Sequence, residues 1–179
     1  LLAKRVPIVN VSGHRSPAGV PHVDLDNGGV CDLAVDHFQQ RGFRHLAYCG
    51  HSQFQWSRWR REQFVQRAEA HGMACSVMEC GDTARDRQRL RAWLQALPKP
   101  VGILACNDMR GRIVLEACAE AGLAVPQAVA VLGVDNDEIL CTLCRPQLSS
   151  VVPDSGAIGY VAAQTLHELL HKQTRETMQ

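Results

Sequence analysis

The chain is short of most features that mark a specialised protein. Aromatic residues make up only 5% of the 179 positions, and the formal net charge is +1. Near-neutrality removes any demand for a polyanionic partner. No apolar run approaches the ~20 residues of a membrane span. No basic-then-apolar leader opens the chain. The signatures GxSxG, P-loop and GxGxxG are all missing, which leaves serine hydrolase, nucleotide-phosphate and dinucleotide chemistry without support. No helix-turn-helix is legible between Leu1 and Gln179. A chain of this length buries about 70% of its unfolded surface and folds without disulfide or metal.

Eight cysteines are present. Cys31, Cys49, Cys106 and Cys118 lie inside apolar runs, where a free thiol acts as a small hydrophobe. Cys141-Thr142-Leu143-Cys144 is a lone CxxC with no second pair to complete four zinc ligands. It reads as part of a loop before Pro146, not as the start of a helix, so thioredoxin-type chemistry is disfavoured. Structural thiols in a reducing cytoplasm are the expectation.

What is present is a repeated pattern of apolar runs that stop at polar groups. Val101 to Cys106 stops at Asn107-Asp108, and Val129 to Val134 stops at Asp135-Asn136-Asp137. Arg44 to Cys49 stops at Gly50, and a loop then leads to Trp56 and an Arg-rich helix. Helical stripes separate these runs: Val30 to Phe38 ended by Gly42, Phe64 to Ala68 ended by Gly72, and Met109 to Ala121 ended by Gly122. Ser57 is the expected cap of the second. Asp82 or Thr83 opens a helix closed by Pro98, Ala74 to Glu79 is a further strand, and Asp154 begins a last helix. Val6 to Ser12, Val20 to Leu25 and Leu148 to Val152 read as extended. The opening, Leu1 to Arg5, reads as the end of a helix in a longer protein. Alternating strands and helices predict an α/β fold with an open, doubly wound, mostly parallel sheet.

Ligands bind such sheets beyond the carboxyl ends of the strands. Asp and Asn accept from adjacent hydroxyls, Arg donates in a planar fork, and Trp offers a flat apolar wall. Trp56, Arg60, Asn107, Asp108, Asp135 and Asn136 therefore form a candidate set for a small sugar. Plainer roles exist for each. Asn107 or Asp108 can cap a helix. Asp135-Asn136 can be a self-stabilised turn. Arg60 can be solvated, and Trp56 can fill core.

Four stretches, in order, resemble the effector-binding core of the LacI/GalR-type transcription regulators, whose fold is periplasmic-binding-protein-like. They are Val30 to Gly50, Ala105 to Asp108, Gly122 to Asn136 and Pro146 to Val151. The resemblance implies two α/β lobes, with crossovers near Asp24 to Asn27 and near Leu148 to Val151. It divides the chain into a remnant of the N-terminal lobe over 1–24, a complete C-terminal effector lobe over 25–149 and a return segment over 150–179. It places Arg60, Asn107 and Asp135 at ligand-contacting positions, with Asp26 a weaker candidate. It further implies a sugar effector, no cofactor, a cytoplasmic homodimer, and DNA contact only through a domain outside this chain.

Two rival readings follow from other features. A periplasmic transport protein of the same fold would share the ligand chemistry, though eight cysteines argue against export. His167-Glu168-Leu169-Leu170-His171 matches the HExxH of zinc peptidases. A catalytic zinc needs a third protein ligand, and Glu176 is too close for the usual arrangement. Neither catalysis nor a metal site is therefore expected.

Overall fold

The computed structural model describes residues 6–11 and 17–177, with side chains to residue 171. Two compact units emerge, residues 26–153 and residues 1–25 with 154–179.

Residues 26–153 form alternating helices and strands: α1 (Asn27–Gln40), β1 (His45–Gly50), α2 (Gln55–Ala70), β2 (Ala74–Glu79), α3 (Ala84–Ala96), β3 (Val101–Ala105), α4 (Asp108–Glu120), β4 (Val129–Val134), α5 (Glu138–Leu143) and β5 (Ser149–Val151). The five strands are all parallel, in the order β2-β1-β3-β4-β5. The order reverses between β1 and β3, which is where a doubly wound sheet opens a crevice.

Side-chain alternation along each strand feeds two cores. Ala47 and Cys49 of β1 join Ile103 of β3, Val131 of β4, Leu90 and Leu94 of α3, and Val114 and Cys118 of α4. Leu46 and Tyr48 are also buried, as are Val35 and Phe38 of α1 and Phe64 of α2. A Cβ on Gly102 would come within 2.5 Å of the Phe38 ring, so only glycine lets α1 lie this close to β3. Of the two expected openers, Asp82 and Thr83, it is Thr83 that caps α3, reciprocally with Asp86.

Some expectations fail on local grounds. Ser57 does not cap α2, which begins at Gln55 behind Phe54 without a side-chain cap. The Ser57 hydroxyl instead accepts from the His51 N–H at 3.0 Å. The supposed loop before Pro146 contains α5, capped by Asp137, so Cys141 lies in a helix and Cys144 at its end. All eight cysteines are free thiols, seven of them buried and Cys75 partly exposed.

In the other unit, α6 (Ser155–Thr177) is a single long helix. The expected strands over 6–12 and 20–25 reduce, among described residues, to one isolated parallel bridge between Asn10 and His22. The helix end expected at Leu1 to Arg5 lies outside the described residues. No helix is long and apolar enough to cross a membrane among those residues.

Candidate functional site

Asn107 caps α4 and Asp108 opens it after β3, Asp135 and Asn136 lie in the loop after β4, and α2, which follows β1, carries both Trp56 and Arg60. Arg60 is 4% exposed. Its Nε donates to Asn27 Oδ1 at 2.9 Å, and its Nη1 donates to the Cys106 carbonyl. Its guanidinium carbon stands 5.4 Å from the centroid of the Trp56 ring, in cation–π range. Trp56 in turn stacks on Phe54, with centroids 5.4 Å apart and planes at 18°. Two protein acceptors and an aromatic face thus hold the fork, and Nη2 makes no hydrogen bond among the described residues.

Asn107 ends the run from β3 and caps α4, its Oδ1 accepting from the Arg110 N–H at 3.0 Å. The capping role leaves the Asn107 amide nitrogen without a protein partner among the described residues. Asp108 differs. It is 2% exposed, and both carboxylate oxygens are engaged. Oδ1 accepts from the Ser150 hydroxyl at 2.5 Å, and Oδ2 accepts from the Asp137 N–H at 2.7 Å. Its position is that of a bracket beneath the β4–α5 loop.

Asp135 and Asn136 form that loop with φ of 109° and 53°. Non-glycine residues seldom adopt such angles, and the conformation persists only where the surroundings hold it. The Asn136 N–H donates to Ser150 Oγ at 3.0 Å, and the Asp135 N–H donates to the Val151 carbonyl at 3.1 Å. The loop is therefore held through its backbone. The Asp135 carboxylate accepts no hydrogen bond among the described residues. The residue is exposed, but partial loss of water to the surrounding protein raises its carboxyl from the ordinary value; the charge of Arg60 opposes this, and Asp108 and Asp137 add to it. Asp26 is the N-cap of α1, accepting from the Gly29 N–H at 3.0 Å, and it directly precedes the Asn27 that accepts from Arg60.

The pattern of runs left several supports unread. Asn27, Ser150 and Asp137 hold candidate residues from positions far along the chain, and no local periodicity marks such pairings. His51 and Asp82 sit at the same strand ends, 3.6 Å apart.

The HExxH stretch lies on α6, with the His167 and His171 rings edge to face at 4.2 Å. Among the described residues no group of three or more His, Cys, Asp or Glu side chains is disposed to hold a metal ion.

A parallel doubly wound lobe with polar groups grouped at its strand ends is the architecture of a small-molecule-binding domain. The chain belongs to the periplasmic binding protein-like domain family, whose model matches residues 35–179. It is similar to the xylose operon regulatory protein of Haemophilus influenzae, with 33% identity over 94% of this chain and 46% of that protein. The solved structure of a xylose-binding transcription activator superposes with a TM-score of 0.82 at 32% identity, over 94% of this chain and 47% of that one. A LacI transcriptional regulator from a Rhodococcus species gives a TM-score of 0.76 at 26% identity, over 91% of this chain and 62% of that one. The chain spans about half the length of the curated relatives it matches first.

Proposed function

We propose that residues 26–153 form one wall of the effector site of a sugar-responsive transcription regulator, and that the effector is a small aldose of the xylose class. The observation that carries this reading is the division of labour among the polar groups. Asp108 spends both oxygens inside the protein. Asp135, Arg60 Nη2 and the Asn107 amide do not, and they are the donors and acceptors that vicinal hydroxyls require. Trp56, steadied by Phe54, supplies a flat face for sugar C–H groups. Asn136 belongs to the same loop, and Asp26 is the least supported of the set. Similarity to proteins named for xylose supports the choice of effector. We read Trp56, Arg60 to Glu62, Arg91 to Pro98 and Gly133 to Glu138 as the stretches that most resemble those regulators.

On this reading the segments outside 26–153 belong to a second lobe, DNA is contacted through a separate domain, the regulator acts in the cytoplasm, and the chain itself is not an enzyme. A homodimer is also part of the proposal. A groove of about 560 Å³ between α4 and α5 is lined by Leu115, Leu140, Ile139 and Leu143, and the last two are strongly exposed. That apolar face suits a second copy of the chain.

Calorimetric titration of the intact regulator with D-xylose and other aldoses tests the effector. Asp135→Ala is expected to weaken binding by roughly 2–4 kcal/mol, because ligand hydroxyls lose a charged acceptor. Unchanged affinity removes Asp135 from the site. A periplasmic transport protein would have no DNA-binding segment in the same reading frame, so the gene sequence separates that alternative.

A further inference from the structure

A ladder of ring contacts runs from the end of β1 into α2. The His51 and Phe54 ring centroids are 4.6 Å apart, with planes at 52°. Phe54 stacks in turn on Trp56, and Trp56 faces the Arg60 guanidinium. The edges of the first ring are occupied. Nδ1 of His51 accepts from the Gln53 N–H at 3.4 Å, which places the proton of the neutral imidazole on Nε2. Nε2 lies 3.6 Å from Asp82 Oδ2, in the loop between β2 and α3. The other oxygen, Oδ1, accepts from Arg110 Nη2 at 3.2 Å, and Arg110 is itself buried on α4. The His51 backbone N–H is tied to Ser57 in the first turn of α2.

We propose that His51 is a positioning residue for sugar binding: it holds Phe54, and through Phe54 it sets the plane of Trp56 against which the C–H face of the sugar lies. This takes Trp56 as the apolar wall of the sugar site proposed above. His51 acts through two rings and need not touch the sugar.

The chemistry of the rings gives the ladder its direction. Phe54 has no polar atom in its side chain, so its ring is oriented only by what packs on it. An imidazole differs: its edges hydrogen-bond while its faces stay free to stack. With one edge on Gln53 and the other toward Asp82, His51 offers Phe54 a face of fixed orientation. The His51 side chain is 13% exposed, so the brace is largely shielded from water, whereas Asp82 is 63% exposed. An ion pair with so exposed a carboxylate adds little to stability. Its effect is on the angle of the ring. Asp82 also joins the wall to Arg110, so three strand ends, those of β1, β2 and β3, bear on Trp56.

The test is a double-mutant cycle in the intact regulator, titrated calorimetrically with D-xylose. His51→Ala should weaken binding about three- to tenfold, the range of one aromatic pair. Asp82→Asn keeps an acceptor for Arg110 but removes the charge facing Nε2, and it should cost about twofold. It alters an exposed side chain, so it serves even if His51→Ala fails to fold. In a Trp56→Ala background neither change should weaken binding further, because the ladder then ends before the sugar. Equal losses in both backgrounds overturn the proposal. Near-ultraviolet circular dichroism of the ligand-free protein gives a second readout. His51→Ala should diminish the signal that Trp56→Phe removes, and an unchanged signal overturns the proposal whether or not sugar binds. If Trp56→Ala leaves affinity intact while Asp135→Ala lowers it, the sugar site stands and the role of His51 falls. If the unmutated regulator binds no aldose, the sugar reading falls, and the dichroism still reports whether His51 orients Trp56.

Discussion

Asp108 and Ser150 meet at 2.5 Å across 42 residues of sequence, joining the start of α4 to the edge strand β5. The contact closes a frame around the Asp135-Asn136 turn, because the same carboxylate takes the Asp137 N–H and the same hydroxyl takes the Asn136 N–H. A strained turn is thus positioned by one buried acid.

Removing that acid should be costly. Asp108→Ala leaves the half-buried Ser150 hydroxyl and the Asp137 backbone N–H without their acceptor, and a loss of roughly 1–3 kcal/mol is expected. Gly133→Ala should act on the same frame, since a Cβ at Gly133 would overlap Asp108 Oδ1 and press on Leu148. Denaturant midpoints measure both. If Asp108→Ala costs less than about 1 kcal/mol, the acid is not the support described.

Asp135 should make stability depend on pH in a particular direction. Its carboxyl is raised on folding, chiefly because neighbouring protein displaces part of its water although the residue itself is exposed, so the folded chain holds this proton slightly more tightly than the unfolded chain. The penalty is complete above the raised folded value. It is relieved as pH falls through that value, and it has gone below the ordinary carboxylate range. Asp135→Asn should therefore stabilise the chain at neutral pH, flatten this part of the profile and weaken sugar binding. Thermal melts from pH 4 to 8 check this, and a variant less stable at neutral pH contradicts it.

Arg60→Lys keeps the charge and loses the fork. A single ammonium is not expected to serve Asn27 Oδ1, the Cys106 carbonyl and a ligand together while facing Trp56. Sugar affinity should fall at least tenfold, or ~1.4 kcal/mol. Circular dichroism should show the secondary structure retained. Equal affinity would mean that Arg60 only joins α2 to its neighbours.

The proposed contacts all lie on residues 26–153, and a cleft gains affinity by enclosing its ligand from both sides. This chain by itself is expected to bind aldoses no better than about millimolar. Micromolar binding in a direct titration would mean that one lobe suffices.

The order of strands and helices was legible in the sequence, because apolar period and glycine stops are local properties. Val101 to Cys106 and Val129 to Val134 needed no tertiary knowledge to be read as buried strands ending in polar groups. α5 escaped because its six residues are too few to show a period. Ser57 was misread because a serine before a helical stripe looks the same whether it caps the helix or lies within its first turn. Only the tertiary structure separated Asp108 from Asp135. Both follow a strand in the same way. One is buried with its oxygens filled, and the other keeps its carboxylate free of protein partners. Likewise, nothing near Arg110 in the sequence points to Cys80, 30 residues away. Side-chain partners are set by which strand ends the register brings together. That is a long-range property, and it decides whether a charged group supports the fold or is left to meet a ligand.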